Sequence, residues 1–372
     1  MVRKVILLFL SVMLLTGCGA AAGGSGSTSA PGAAAGAGGS ASATGQEGAA
    51  SGASGSAEAS EARRDFFAMD TFMTLTVFGP DAEAACDAAV AEIDRLDRLF
   101  STGNPESEVS KLNAAGSLVL SEDGQILVKR SLETWKDTDG AFDIAIYPIM
   151  DAWGFTGEDR HVPSPETLSE LLPLCDAGKL DFNESSGELK LPEEGMMIDL
   201  GGVVKGYASA DVIGILKSRG IESACLNLGG NVQVLGKKQN GDPWRIAIRD
   251  PEKEDRYLGV LHLTDTAAIT SGGYERFFEE DGKTYHHIID PETGYPAENG
   301  LTSVTIVTPD GTLADMLSTS LYILGTDRAI RYCEEHRGEF DAILFTDERK
   351  MYATAGLRDI LQPTGSVTWI AE

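Results

Sequence analysis

Between Gly19 and Arg64 the chain is almost wholly Gly, Ala and Ser, and its first large apolar side chain after that stretch is Phe66. Such a segment cannot bury enough apolar surface to offset the entropy of ordering it, so it reads as a tether. A flexible chain of this composition reaches about 35 Å. Ahead of it, Arg3 and Lys4 precede the apolar run Val5 to Leu15, which ends in Leu15-Thr16-Gly17-Cys18. That is the pattern of a secretory signal with a lipoprotein cleavage box. The run is shorter than the roughly 20 residues a membrane-spanning helix needs. Three segments are expected: a signal at 1–17, a lipidated Cys18 with the tether at 18–64, and a folded domain at 65–372. The expected location is exported, extracytoplasmic and lipid-anchored to the cell membrane.

The folded part has room for one large two-lobed domain or two intimately packed ones. The chain carries 57 acidic and 30 basic residues, a net charge of −27, which argues against nucleic acid as a partner, since that needs clustered Lys and Arg. Cys86, Cys175, Cys225 and Cys333 are scattered with no C-x-x-C, so zinc and redox-motif readings are poor and buried free thiols are expected.

Helical spacing of Ala85, Ala89, Ile93, Leu96 and Phe100 predicts a helix from Asp81 to Leu99, with Asp81 as cap. Further helices are expected at 125–137, at 165–172 behind Ser164, and at 312–324, closed by Gly325. Strands are expected at 69–78, 187–191, 224–228, 232–235, 244–248, 258–263, 302–308, 342–346 and 350–355. No regular strand–helix alternation runs through them. The expected class is therefore α+β, a single two-lobed domain with mixed or antiparallel sheets flanked by helices.

Chemistry concentrates in a few stretches. In "IDLGGVVKGYASADVI", residues 198–213, Gly201, Gly202 and Gly206 surround Lys205 just ahead of a helical pattern. It matches neither a Walker loop nor a dinucleotide fingerprint, which leaves a tight packing turn or a backbone that touches a ligand. In "TLADMLSTSLYILG" the carboxylate of Asp315 and the hydroxyl of Thr319 stand four apart on one helix face. "GAFDIAIYPIMDAWGF" sets Asp143 among apolar residues. "TSGGYERFFEEDGKTYHHIIDPETGYP" combines a Ser/Gly turn at 270–273, a hairpin at Asp281-Gly282, and the pair His286-His287 ahead of a loop. "LNLGGNVQVLG" adds a second double glycine.

Taken together with "FSTGNPESEVSKLN", these motifs make the chain resemble the FAD:protein FMN transferases, an ApbE-like family of lipoproteins once linked to thiamine biosynthesis. The resemblance runs from Met69 to Ala329. It implies an α+β enzyme that cleaves FAD with a divalent metal, moves FMN onto a Thr or Ser hydroxyl of another protein, and releases AMP. It also implies Mg²⁺ held by the Asp315 carboxylate, the Thr319 hydroxyl and the Gly202 carbonyl, and FAD contacts on Met69, Ala141, Phe142, Asp143, Asp199, Lys205 and Ile288. The acceptors it implies are exported flavoprotein subunits of membrane redox complexes, of the Rnf type or the sodium-pumping NADH:quinone reductase type. Many members carry a tyrosine after the Ser-Thr of the "FST" segment, where this chain has Gly103. Stacking on the flavin ring must then come from elsewhere.

Residue chemistry fits these roles. A hydroxyl attacking a pyrophosphate needs cationic charge at the bridge and a base for its proton. Lys205 is a candidate for phosphate charge. His287 is the candidate base, the alternative being that it only orients the following loop through Asp290. Catalytic roles thus fall on His287, Asp315 and Lys205. Two rival functions remain: an FAD pyrophosphatase yielding FMN and AMP, and a non-catalytic flavin-binding lipoprotein.

Overall fold

The computed structural model describes residues 60–157 and 159–370. The expected signal, the Cys18 lipidation site and nearly all of the tether lie outside the described residues. The folded part starts earlier than composition suggested. Ser60–Ala68 is already a strand, and Ser60 to Arg64 pair with the tail of the strand Thr71–Gly79. Polar side chains suffice there, because the partner strand and helix α1 (Ala82–Phe100) supply the apolar surface, and Arg64 reaches Glu83 and Asp87 of that helix.

A nine-stranded sheet forms the centre. Its order in space is Ser60–Ala68, Thr71–Gly79, Ser223–Leu228, Asn231–Leu235, Ala267–Gly272, Leu301–Thr308, Asp341–Thr346, Met351–Thr354 and Val367–Ile370. Every neighbouring pair is antiparallel except the last, which is parallel. The α+β expectation holds, and so do the expected strands. The supposed Ser/Gly turn at 270–273 is instead mostly strand, with Thr270, Ser271 and Gly272 paired to Thr305, Val304 and Ser303.

Period-two alternation sends each strand's side chains to opposite layers. Leu226, Ile269 and Leu344 face the helical side, packing with α1, α6 (Val204–Ser218) and α7 (Gly311–Glu335). Cys225, Ala268, Ile343 and Phe345 face a second, three-stranded sheet that supplies Trp244, Ile246 and Leu261. Between the strands Thr71–Gly79 and Ser223–Leu228 the chain makes an excursion carrying α2 (Glu108–Ala115), α3 (Glu122–Asp137), α4 (Tyr147–Ala152), α5 (Pro165–Leu171) and a small three-stranded sheet. Ser164 caps α5, accepting from the Thr167 N–H at 3.1 Å.

Two expected caps behave differently. Asp81 precedes α1 with φ 50° and makes no side-chain cap bond. Gly325 does break the helix, with φ 75° and ψ 175°, but a further helical stretch follows to Glu335. Asn299 presses on that break and donates its side-chain N–H to the Ile323 carbonyl at 2.7 Å, so the kink replaces a terminus. Cys86, Cys175, Cys225 and Cys333 are free and buried, as expected.

Candidate active site

The site lies where α6 begins against the first turns of α7. Gly206 in the first turn of α6 donates its N–H to Asp315 Oδ2 at 2.7 Å. That closeness requires glycine, because a Cβ at Gly206 would stand 2.3 Å from the Gly311 carbonyl oxygen and 2.6 Å from Asp315 Cβ. Gly206 is thus a packing glycine, so at this position the first of the two alternatives for the cluster holds. Gly202, one turn earlier and half-buried, lies against the Phe142 ring, 3.1 Å from where its Cβ would be.

Asp315 is only 5% exposed. Burial pushes its carboxyl above the usual range, while Lys205 opposite and the Gly206 N–H pull it back. Lys205 also faces Glu275, a half-buried carboxyl that the sequence reading missed. Glu275 is pushed up to about 7 by burial, against the attraction of Lys205, Arg276 and Arg249 and with Asp315 repelling it. Asn231, 2% exposed, points its amide toward Asp315, yet its Nδ2 has no well-formed hydrogen bond. Thr319 is reached from the strand Ala267–Gly272, its hydroxyl 3.3 Å from Ser271 Oγ, which also sits 2.8 Å from Ser318 Oγ.

These residues fit a small hard cation. A buried carboxylate demands compensating charge. Here two carboxyls share the single charge of Lys205. The available ligands, a carboxylate, a hydroxyl and a backbone carbonyl at Gly202, are all oxygen, the set Mg²⁺ takes. Among the described residues no three His, Cys, Asp or Glu converge on a common point. Substrate phosphate and water would therefore have to complete a shell, as is usual for Mg²⁺.

His287 also belongs to this cleft. Burial, with Arg276, Lys205 and His286 adding repulsion, drives its imidazole well below the ordinary histidine value, so it is neutral near pH 7. Its Nδ1 lies 3.2 Å from the Arg276 carbonyl oxygen, an acceptor, which assigns the ring proton to Nδ1 and leaves Nε2 as a lone pair. The orienting partner is thus Arg276 rather than Asp290, whose Oδ1 accepts from the Glu292 N–H. The hairpin just before His287, Phe277–Glu280 with Lys283–His286, turns at Asp281-Gly282 as the sequence suggested.

The remaining expected contacts divide. Met69 and Asp70 form a two-residue turn between Ala68 and Thr71, with φ 47° and 56°. Such a left-handed conformation is strained for methionine. It is held by the Met69 N–H bonding Asp97 Oδ2 at 3.1 Å and by Arg276 reaching the Met69 carbonyl at 3.5 Å. Asp199 accepts the Gly201 N–H at 2.8 Å and faces Arg276; its carboxyl is raised, chiefly by burial. Ala141, Phe142 and Ile288 are buried, at 6%, 4% and 4% exposed. Asp143 is engaged with the backbone through both oxygens. Its two oxygens accept the N–H groups of Ala145 at 2.7 Å and Ala177 at 3.0 Å, so it caps a short turn that carries Phe142.

Glu275, Arg276 and Asn231 lie inside motifs the sequence offered, "SGGYERFF" and "LNLGGN". Their signal was an acid–base pair beside aromatics and an amide after a double glycine. Only the fold brings them to Asp315.

The ApbE family model matches residues 69–344. An FAD:protein FMN transferase of Treponema pallidum (strain Nichols) is 32% identical over 325 residues, covering 82% of this chain and 89% of that protein. One of Escherichia coli (strain K12) is 32% identical over 272 residues, covering 70% and 78%. A crystal structure of the ApbE protein of Thermotoga maritima superposes with a TM-score of 0.74 at 31% identity, over 78% of this chain and 96% of that one. The flavin transferase ApbE of Vibrio cholerae gives 0.73 at 27% identity, over 81% and 99%. With a family model spanning most of its folded part and relatives matched along most of their length, the chain belongs to the ApbE family.

Proposed function

We propose that this protein transfers FMN from FAD to a Thr or Ser hydroxyl of an acceptor protein and releases AMP. The observation that carries the reading is the convergence of Asp315, Lys205 and the neutral His287 on one cleft at the start of α6. Relatives that carry the transferase name over most of this chain support it.

The acceptor oxygen attacks the phosphorus of the FMN half, and the bond from that phosphorus to the bridging oxygen breaks. AMP leaves with the bridging oxygen. His287 Nε2, unprotonated at neutral pH, takes the hydroxyl proton. Lys205 offers a point charge to the phosphates. Asp315, Thr319 and the Gly202 carbonyl would hold Mg²⁺, which when bound neutralises charge on the pyrophosphate. Residues 69–70, 141–143 and 288 shape the walls. The acceptors are flavoprotein subunits of exported membrane redox complexes, of the Rnf or sodium-pumping NADH:quinone reductase kind. A lipidated Cys18 outside the cytoplasm fits such partners. The chain itself contains no Asp-x-x-Ser/Thr-Gly/Ala-x-Thr acceptor sequence.

The test mixes the protein with FAD, Mg²⁺ and an acceptor subunit. Flavin fluorescence on the acceptor band together with free AMP supports transfer. AMP with FMN and no labelled protein identifies a pyrophosphatase, and intact bound FAD identifies a binding protein.

A further inference from the structure

Hydroxyls on a helix ordinarily turn back onto it, where a Ser or Thr bonds the carbonyl three or four residues earlier. In α7 the two neighbours of Thr319 do so: Ser318 donates to the Asp315 backbone carbonyl at 2.9 Å and Ser320 to the Met316 carbonyl at 2.7 Å. Thr319 instead reaches across to Ser271 of the central strand, 3.3 Å away, and Ser271 Oγ lies 2.8 Å from Ser318 Oγ. Ser271 stands there because it follows Ile269 by two positions, which puts both on the strand face that packs against α7. Ser318 is fully buried, while Ser271 and Thr319 are half-buried.

Only one arrangement of protons makes all of these bonds between Asp315, Ser318, Ser271 and Thr319. A carbonyl oxygen only accepts, so Ser318 spends its single proton on Asp315. Ser271 must then donate to Ser318, and the remaining bond is one that Thr319 donates to Ser271. With its proton turned toward the strand, the Thr319 oxygen has only lone pairs left for any further partner. We propose that Ser271 is a positioning residue for the cation site: it takes the Thr319 proton and so holds the Thr319 oxygen ready as a ligand for a small divalent cation. This rests on the placing of Mg²⁺ at Asp315 and Thr319 in the flavin-transfer reading above. Charge drawn from the Thr319 oxygen makes its proton a better donor to Ser271, so ligation and hydrogen bond reinforce each other.

The test reads metal binding instead of turnover. Mn²⁺, which takes the same oxygen ligands as Mg²⁺, is titrated in the presence of FAD and followed by the loss of its free-ion electron paramagnetic resonance signal. The proteins compared are the wild type, Ser271→Ala, Ser271→Thr, Ser318→Ala and Thr319→Ala, with FAD affinity in the absence of metal and melting temperature measured alongside. Losing the hydrogen-bond partner of a metal ligand costs about 10–100-fold in metal affinity, so Ser271→Ala should weaken Mn²⁺ by at least about tenfold while metal-free FAD binding and melting temperature stay close to wild type. Ser271→Thr keeps the hydroxyl and should bind Mn²⁺ within about threefold of wild type. Ser318→Ala frees the Ser271 proton to compete for the Thr319 lone pairs, and its loss should be smaller than that of Ser271→Ala. Wild-type Mn²⁺ affinity in Ser271→Ala while Thr319→Ala is weakened, a loss that Ser271→Thr does not rescue, or an equal loss of metal-free FAD binding overturns the positioning role and leaves the cation site standing. If Thr319→Ala also binds Mn²⁺ like the wild type, the positioning role and the cation site fall together, and the acceptor-fluorescence assay above decides transfer independently.

Discussion

The two halves of the cleft are built in opposite ways. The charged half stands on regular elements: Asp315 and Thr319 in α7, Lys205 and Gly206 in α6, Asn231 and Ser271 on central strands. Its spacing is set by backbone contact between helices. The other half is made of turns and short segments: Met69-Asp70, Ala141 to Asp143, and Arg276 to His287. There, side-chain-to-backbone hydrogen bonds hold the shape. A pyrophosphate needs charges at fixed separations, which rigid helices give. A planar ring and a protein acceptor need walls that vary, which loops provide.

The sharpest way to break this contrast is to remove the charge that the helical half exists to place. Asp315→Ala should lower FMN transfer by at least about 10³-fold with the fold retained, read by acceptor fluorescence and far-UV circular dichroism. Asp315 is buried and its Oδ2 takes the Gly206 N–H. Alanine removes a costly buried charge, so stability should hold while activity goes. Comparable activity in this variant would mean the loop half carries the reaction.

The glycines test the same contrast on stability. Gly206→Val drives side-chain carbons into the Gly311 carbonyl 2.3 Å from the Cβ position and should separate α6 from α7. A loss of more than about 3 kcal/mol is expected, with little folded protein. Gly202→Ala meets only the Phe142 ring edge at 3.1 Å, and the ring can shift by a few tenths of an ångström. Its melting temperature should stay within a few degrees of wild type. Equal destabilisation by the two would mean the approach to α6 is as tightly packed as the helix contact itself.

His287 tests the loop half. His287→Asn should reduce transfer by about 10²–10⁴-fold, the usual contribution of a positioned base. The folded pKa lies below 6.5, and the base works unprotonated. Wild-type kcat/KM should therefore not fall as pH drops through 6.5, and should decline only in more acid solution. A fall centred near 7 that vanishes in Glu275→Gln would belong to Glu275 instead.

Legibility in the sequence follows the same division. Asp315 and Thr319 were found because helical spacing places i and i+4 on one face, and the strands flanking the site were found from their apolar alternation. Glu275 was missed because nothing local marks a carboxyl whose neighbours Lys205, Gly230 and Asp315 come from elsewhere in the chain, 40 to 70 positions away. Asp143 was expected as an FAD contact from the family resemblance. The fold uses that acid to cap its own backbone and carry Phe142. Gly206 looked like its neighbours in sequence, and only the position of α7 separates a packing glycine from an open one.

The smallest expected effect concerns Glu275 and the pH dependence of stability. Its folded pKa, about 7, stands above the ordinary 4.5, so the native state binds this proton more tightly than the unfolded chain does. The stabilisation is complete below 4.5 and is lost as pH rises from there through 7. Glu275→Gln keeps the shape without the ionisation. At pH 4.5 its melting temperature should equal that of wild type, and at pH 8 it should exceed it by a few degrees, on the order of 1–3 kcal/mol. Lys205 and Arg276 oppose part of that gain, since both lose a partner when the charge goes. A variant that is less stable than wild type at pH 8 would show that the ion pairs outweigh burial. The charged half would then be a balanced cluster, with no excess of negative charge waiting for a cation.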